Sequence, residues 1–323
     1  MTGAHMSQFE EYPLRKVLHD EIHARPPIPL EVPECVTYLA FLHVEGSVGR
    51  EDVHLRLLAQ QLGLAEPALE SGHAVLEAPE FRLKWQRHNE FSSYAFFHRL
   101  SVADEVEPNA LLAVPTAWRN EIPGQLIVAT HVVVRPLADT DPEALIEALA
   151  ADGQTLVATQ IADGAGWVMT DFQLHDGFTR FTVLDGTLTQ RQAGRMVQRL
   201  CEIETYRLMA LLAFPVAKEV GRLISRAEDD LADLMDDMGG ARNPDDERSV
   251  LAKLTRLAAD IERSVARTTF RFGAAAAYYR LVQQRIDELR ERRITGYPTI
   301  SEFMERRLAP AINTCATIAR RQE

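Results

Sequence analysis

The densest group of chemically versatile side chains lies near the start of the chain, between His19 and Pro26. Histidine, carboxylate and guanidinium groups this close together could bind an anion or a divalent metal, or transfer protons. The alternative is structural, with the arginine and a glutamate holding the proline-rich segment that follows against a sheet. The candidate ligand residues in this group are Glu21, His23 and Arg25.

A second polar cluster surrounds Arg87. In an extended strand Arg87 would lie on one face, and His88 and Glu90 on the other. Two ligands on one strand do not make a metal site, so the alternative is a salt-bridged strand end. We expect Arg87, His88 and Glu90 to form a ligand site if they converge with His23 and Arg25.

Carboxylates are concentrated at residues 228–247, where nine Asp and Glu side chains occur. Such a density produces a negative field that attracts hydrated cations, although the glycine and ligand spacing of a calcium-binding loop are missing. The alternative is a solvated end of a helical rod. The candidate ligands for a divalent cation such as magnesium are Asp229, Asp230, Asp233, Asp236 and Asp237.

Catalytic motifs are missing from the sequence. It contains no nucleophile elbow, phosphate-binding loop, dinucleotide fingerprint or zinc-protease motif. We therefore predict no catalytic residues, no certain cofactor and a non-enzymatic protein. A hydrolase or transferase that uses His19, His23 and His88 is the alternative.

Charge is distributed unevenly along the 323 residues, whose net charge is −12. Residues 1–189 carry 12 basic and 27 acidic side chains, whereas residues 190–323 carry 23 and 20. An acidic first part argues against nucleic acid as a partner, because phosphate binding needs a basic face. Three widely spaced cysteines do not form a disulfide framework and indicate a reducing compartment.

A sheet domain is expected to position the two N-terminal polar clusters. Val36–Val44 and Leu126–Val134 have the apolar, β-rich character of buried strands, and Arg50–Leu62 and Asp141–Ala150 are amphipathic. His175-Asp-Gly177 predicts a tight hairpin turn between two strands. These patterns predict an α+β fold with a mixed α/β sheet over residues 12–188. Residues 1–11 are set aside, because their start is typical of a vector-derived leader.

A long antiparallel helical hairpin is predicted for residues 189–295, with its acidic tip near 228–247. Two helical runs of similar length flank a Gly-Gly break, and each would be about 70 Å long. Pro215 is expected to kink the first arm. Gly273–Ala277 is expected to pack beside Tyr206–Ala210, because small residues opposite large ones let two helices approach closely.

A third helix is predicted within residues 296–323, starting at a capping box formed by Thr299 and Glu302. Its apolar residues alternate spacings of four and three, which is typical of an oligomerising seam. Because the final turn has no cap, we expect a stalk that leads towards membrane segments. The seam consists of Met304, Leu308, Ala311, Cys315 and Ile318.

Several stretches resemble an uncharacterised bacterial family of membrane-anchored proteins, a domain of unknown function. The most distinctive are Glu21–Pro26, Trp85–Phe91, Trp167–Phe172, Gly194–Leu200, Glu202–Arg207 and Ala210–Pro215. The resemblance extends from about Tyr12 onward. It implies a location at the cytoplasmic face of the bacterial inner membrane, and it brings no activity, substrate or catalytic residues.

The order of the parts is also similar to that of the CorA-type magnesium transporters, in which an acidic α/β domain precedes long helices. That resemblance implies a homo-oligomer that regulates a divalent-cation channel, with the membrane reached through a C-terminal segment. Our leading hypothesis is the regulatory cytoplasmic domain of such a protein. The alternative is a scaffold or signalling module that binds a protein or a small anion through the α/β domain.

Overall fold

The computed structural model describes residues 12–21, 26–69, 71–101, 108–151, 155–240 and 243–322. Helices and strands alternate irregularly in the N-terminal part, as expected for a mixed fold. In chain order its elements are α1 (Arg15–Glu21), β1 (Glu34–Leu42), α2 (Ser47–Gln61), β2 (His73–Glu77), β3 (Arg82–Arg87), β4 (Phe91–Arg99), α3 (Thr116–Arg119), β5 (Gln125–Pro136), α4 (Pro142–Ala150), β6 (Val157–Ile161), β7 (Gly166–Thr170) and β8 (Thr179–Asp185).

Long helices dominate the C-terminal part, interrupted by one short strand. The elements are α5 (Gln190–Leu211), α6 (Ala213–Gly240), α7 (Pro244–Leu289), β9 (Arg292–Arg293), α8 (Ile300–Arg307) and α9 (Ala309–Arg321). Strand β9 pairs with β6, so the chain returns to the sheet after the long helices. The predicted α+β class, with a sheet followed by a helical hairpin and further helix, is confirmed.

The nine strands form one sheet in the order β2-β3-β4-β1-β5-β8-β7-β6-β9. Strands β5 and β8 are parallel. The other pairings among the described strands are antiparallel. The sheet therefore consists of two antiparallel halves, which meet at a parallel pair in its middle.

The two faces of the sheet are covered differently. One face packs on α5, where Val36, Val132 and Phe181 share a core with Leu200 and Ile203. The opposite face is covered by α2 over β1, β3 and β4, and by α4 over β6–β8. A groove lies between these two covered regions, over β5 and β8.

Some local predictions were wrong at the edges of the sheet. The short strand β2 was not predicted, because only two of its five residues, Ala74 and Leu76, are buried and the pattern is too short to recognise. Between β4 and β5 the chain forms a 3-10 turn followed by the four-residue α3, which were not predicted either. Strand β7 ends at Thr170, since Phe172 adopts a positive φ of 56° that ends extended structure.

The first arm of the hairpin is interrupted where the sequence predicts it. Helix α5 ends at Leu211 and α6 begins at Ala213. Pro215 has no N–H to donate to the carbonyl of Leu211, four residues earlier, so the helical ladder is broken there. The second arm, α7, runs for 46 residues. At 1.5 Å per residue its length is about 69 Å.

Contacts between the arms lie close to the predicted register, but they are not limited to small residues opposite large ones. Tyr206 stacks on Tyr278 at 5.8 Å between ring centroids. Further along, Ala275 shares a buried cluster with Ala213 and Ala217. Small residues of the two arms therefore lie together, and side chains from α6, α7 and α9 fill the rest of that cluster.

Helices α8 and α9 fold back along the hairpin. Met304 and Leu308 join the main core, and Cys315 and Ile318 pack with α6 and α7. Four of the five seam residues are thus buried within this chain, so the seam is not free to join copies. The predicted homo-oligomer stays a prediction. None of the helices in the described ranges combines the length and apolar character needed to cross a membrane.

Candidate functional site

Arg87 fastens helix α2 to the sheet. Its Nε donates to Oε2 of the buried Glu51 at 3.0 Å, and a second guanidinium nitrogen pairs with Asp52. Burial alone would lower the pKa of Arg87, but its bonds to Asp52 and Glu51 outweigh that effect and raise it. Arg87 therefore has a structural role on the α2 face of the sheet.

Four buried polar atoms near this ion pair have no hydrogen-bond partner among the described residues. They are Oε1 of Glu51, Nε2 of His54, Nε1 of Trp85 and the hydroxyl of Tyr94. Burial, followed by the charge of Glu51, raises the pKa of Tyr94. A neutral phenol enclosed in this way is not placed to exchange protons with a ligand, and none of the four residues lines the cavities described below.

His88 and Glu90 lie on the α5 side of the sheet, in the connection between β3 and β4 and not in an extended strand as predicted. His88 stacks on Phe91 at 4.3 Å, and Glu90 pairs with Arg271 of α7. The polar cluster is therefore divided: Arg87 holds α2, whereas Glu90 holds the hairpin. His23, Arg25 and the side chain of Glu21 lie outside the described residues. Their predicted convergence with Arg87 therefore lies outside them as well.

Lys84 begins a polar network between the sheet and the hairpin. Its buried Nζ donates to the carbonyl oxygen of Pro26 at 2.7 Å and to Oε1 of Gln198 at 3.1 Å. Nε2 of Gln198 donates in turn to Glu202 at 2.7 Å, and Glu202 pairs with Arg285 of α7. The network contains residues from three of the stretches that carry the family resemblance, and it joins β3, α5 and α7.

The cavity beside this network is too small for an organic ligand. Its volume is about 40 Å³, which is room for only a few water molecules. Cys201 lines it, but burial raises the pKa of the thiol, so the reactive thiolate is disfavoured. We interpret this region as the joint between sheet and hairpin.

The groove over β5 and β8 is large enough for a small molecule. Its volume is about 540 Å³, within the usual range of roughly 300–1,000 Å³ for ligand sites. It lies over β5 and β8, the only parallel strand pair of the described sheet. His131, Arg135 and Arg180 supply polar groups, and Leu145, Leu149 and Phe178 supply apolar surface.

His131 is held in place on the floor of the groove. Its Nδ1 lies 2.9 Å from Oγ1 of Thr37, and its ring stacks on Phe178 at 4.1 Å. Burial, followed by the positive charge of Arg180, lowers its pKa from 6.5 to about 4. The imidazole is therefore neutral near pH 7, and its Nε2 is left to bind a ligand.

Two arginines give the groove its positive charge. Arg180 lies 3.5 Å from Asp176. Arg135 is partly buried and has no ion pair or hydrogen bond to any described residue. Because Arg180 is in register with His131, four residues before Arg135, the two arginines are about 13 Å apart along the strands. The groove around the two arginines has room for an anion of a few to ten non-hydrogen atoms.

A tight turn forms one end of the groove. Asp176 and Gly177 both have positive φ, and His175 and Phe178 are bridged across them, so the predicted hairpin turn is confirmed. His175 pairs with Asp171 at 2.6 Å. This pairing fixes the position of the imidazole beside Arg180.

Sequence reasoning missed the residues of this groove, because they are distributed over β5, β8 and the loop before α3. The available signal was a histidine and an arginine four residues apart, and so on the same face, of the otherwise apolar second half of β5. Polar residues at two such positions in a central strand indicate that its face is not fully covered.

The predicted metal ligands are not gathered into a site. Asp229, Asp230, Asp233 and Asp236 are exposed along α6, and Asp237 pairs with Lys253 at 3.0 Å. Within the described part of the chain, no three His, Cys, Asp or Glu side chains come together so that they could hold a metal ion. Magnesium binding at these carboxylates therefore stays a prediction.

Comparison with known families covers both parts of the fold. Residues 10–323 match the family described as "Protein of unknown function (DUF3422)". The chain belongs to this family. No curated protein and no solved structure matches it. The DUF3422 match includes the sheet, the hairpin and α9, so the groove and the joint described above both lie within the family region.

Proposed function

We propose that this DUF3422 protein binds a small organic anion, a carboxylate or phosphate ester, in the groove over β5 and β8. The observation that carries the proposal is Arg135, a partly buried guanidinium with no ion pair to any described residue, in a cavity of about 540 Å³. A guanidinium that has no partner in an accessible groove can form charge-assisted, bidentate hydrogen bonds to an anion. A bound carboxylate or phosphate would be such an anion.

The other groups of the groove support binding rather than catalysis. His131 has a pKa of about 4 and is a weak general base near neutral pH. His175 is already engaged by Asp171. Leu145, Leu149 and Phe178 would contact the apolar part of the ligand. The protein would then act as a ligand-sensing module and leave the bound molecule unchanged.

The groove is well placed to affect the helical hairpin. Val132 and Val134 alternate with His131 and Arg135 along β5, and they face α5 in the main core. A ligand that shifts β5 relative to β8 therefore acts, across one strand, on the helix that carries the hairpin. This is the route by which we expect binding to be transmitted.

The test is calorimetric titration with a panel of monocarboxylates, dicarboxylates and phosphate esters. Arg135→Gln should weaken binding of the best ligand by about 10- to 100-fold, the effect of losing a charge-assisted hydrogen bond. Arg256→Gln removes an exposed arginine of α7 and is the matched control. Binding that is unchanged by Arg135→Gln, or no binding of any anion in the panel, would show the proposal to be wrong.

A second candidate is the regulatory cytoplasmic domain of a membrane-anchored, CorA-like divalent-cation channel. The feature that favours it is the arm of 46 residues that leads from an acidic end back to the sheet. The proposal includes homo-oligomerisation and a place at the cytoplasmic face of the inner membrane. Magnesium flux through vesicles reconstituted with the full-length protein tests it, and membranes without such flux would count against it.

A further inference from the structure

A second large cavity lies between α5, α7 and the proline-rich segment that precedes β1, and we call it the α5–α7 cavity. Its volume is about 650 Å³, within the usual range of roughly 300–1,000 Å³ for ligand sites. It shares no lining residue with the groove over β5 and β8. Four arginines and two glutamates line it, so its lining is positively charged. These residues are Arg191, Arg195, Arg199, Arg285, Glu202 and Glu288.

The two glutamates of the α5–α7 cavity are already paired with two of its arginines. Nε of Arg199 donates to Oε2 of Glu288 at 2.9 Å. Arg285 pairs with Glu202, and another of its nitrogens donates to Oε1 of Glu288 at 3.0 Å. Burial would raise the pKa of Glu288, but Arg285 and Arg199 outweigh that effect and lower it. The acidic charge of the lining is therefore used by Arg199 and Arg285.

The other two arginines, Arg191 and Arg195, have no such partner. Both are exposed, and neither has an ion pair or hydrogen bond to any described residue. They are four residues apart on α5, so their Cβ atoms are about 6 Å apart on one face, and like charges at this spacing destabilise a helix. Arg191 also lies in the first turn of α5, where the helix dipole is positive. An anion between the two guanidinium groups would relieve both repulsions.

The proline-rich wall of the α5–α7 cavity is held against α5 at two points. The N–H of Leu30 donates to the carbonyl oxygen of Gln190 at 3.0 Å. Ile28 packs directly on Gly194, where an added Cβ would come within 1.9 Å of the Ile28 carbonyl oxygen. The wall is therefore formed before any ligand arrives, so binding does not require the backbone of this wall to be ordered first.

We propose that the α5–α7 cavity binds a small molecule with a pyrophosphate group, with Arg191 and Arg195 each contacting one phosphate. A guanidinium forms bidentate hydrogen bonds to phosphate oxygens, so two arginines one helical turn apart suit two linked phosphates. A ligand with a single phosphate would leave one of these guanidinium groups without an anion. The rest of the ligand would lie along the prolines of the wall, which are Pro26, Pro27 and Pro29. The proposal is independent of anion binding over β5 and β8.

The probe is inorganic pyrophosphate, titrated into the protein in a calorimeter in the absence of divalent cations. The wild-type chain should bind pyrophosphate at least about tenfold more tightly than orthophosphate, because the second phosphate adds charge-assisted hydrogen bonds. The affinity should fall as salt is added, since the arginines are exposed and their charges are screened. Equal affinities for the two anions would contradict the assignment of one phosphate to each arginine.

The variant Arg191→Gln/Arg195→Gln should weaken pyrophosphate binding by at least about tenfold, because it removes both proposed phosphate contacts. The matched control, Arg222→Gln/Arg226→Gln, also removes two exposed arginines four residues apart on a helix. These two residues of α6 line none of the cavities described above, so the control should keep the wild-type affinity. All four positions are on the surface, so both variants should fold, which circular dichroism checks.

Arg135→Gln separates this site from the groove over β5 and β8, and it should leave pyrophosphate affinity unchanged. Three further results would overturn the proposal. One is failure of the wild-type chain to bind pyrophosphate, and another is equal weakening by the two double variants, because any loss of surface charge would then be sufficient. The third is binding that is lost in Arg135→Gln and kept in Arg191→Gln/Arg195→Gln, because pyrophosphate would then occupy the groove.

Discussion

Arg87 and Arg135 have the same chemistry, and both lie on the face of the sheet opposite α5, but their surroundings give them different tasks. Arg87 is bound by Glu51 and Asp52 of α2, so its charge is used to hold the fold together. Arg135 faces no described carboxylate, so its charge is available to a ligand. Residue type alone would not have distinguished them.

His131 is expected to make stability depend on pH. Because its folded pKa is about 4 and its usual value is 6.5, the unfolded chain binds more protons between these two values. The free energy of unfolding should therefore fall as the pH decreases through this window, by up to about 3 kcal/mol. Urea denaturation at several pH values measures it.

His131→Asn is the control for this effect, because its amide can still bind Thr37 but does not titrate. The quantity compared is the slope of the unfolding free energy against pH. The absolute values are not compared, because the loss of stacking on Phe178 lowers the stability of the variant at all pH values. Parallel curves for the two proteins would mean that His131 is not the group responsible.

At the scale of elements, several helix boundaries lie at the residues that the local sequence predicts. Thr299 and Glu302 form the predicted capping box, with Oγ1 of Thr299 accepting the amide of Glu302 at 3.1 Å. Pro215 interrupts the first arm, again as predicted. These features depend on residues within one turn of each other, so they can be read directly from the sequence.

The partners of a helix face are not local, and two substitutions on α6 should show this. Ile224→Ala should lower the free energy of unfolding by about 3 kcal/mol, because Ile224 is buried under α9. Leu231→Ala, on the same face, should cost less than about 1 kcal/mol, because Leu231 is exposed. Guanidinium denaturation gives both values, and equal losses would mean that this face of α6 is covered along its whole length.

At the scale of the molecule, the sheet and the hairpin share one core. Val132 and Phe181 of the sheet belong to the same buried cluster as Met209 of α5, Val282 of α7 and Met304 of α8. The predicted boundaries near residues 188 and 295 fall between elements, but β9 returns to the sheet after the hairpin. The buried core and the sheet therefore both include residues from either side of these predicted boundaries.

We therefore expect the sheet and the base of the hairpin to unfold together. The three tryptophans, Trp85, Trp118 and Trp167, all precede the hairpin, so their fluorescence reports the sheet. Far-UV circular dichroism reports mainly the long helices. The two transitions should coincide in urea. A helical signal that is lost at a clearly different urea concentration would show that the hairpin is an independent unit.

The sequence by itself determined the fold class, the two long arms, the interruption at Pro215, the hairpin turn at residues 175–177 and the caps. Each depends on periodicity or on residues a few positions apart. It also predicted that Arg87 and His88 point to opposite sides, which they do, although β3 ends at Arg87 and His88 lies in the connection to β4.

Only the tertiary structure decided which polar groups lie together. Arg135 of β5 and Arg180 of β8 share a groove because the two strands are parallel neighbours, a pairing between residues far apart in the chain. The seam of the third helix is local in pattern, yet its partner proved to be this chain's own hairpin. Pairing over such distances is set by the packing of the whole core, so no short stretch of sequence contains it.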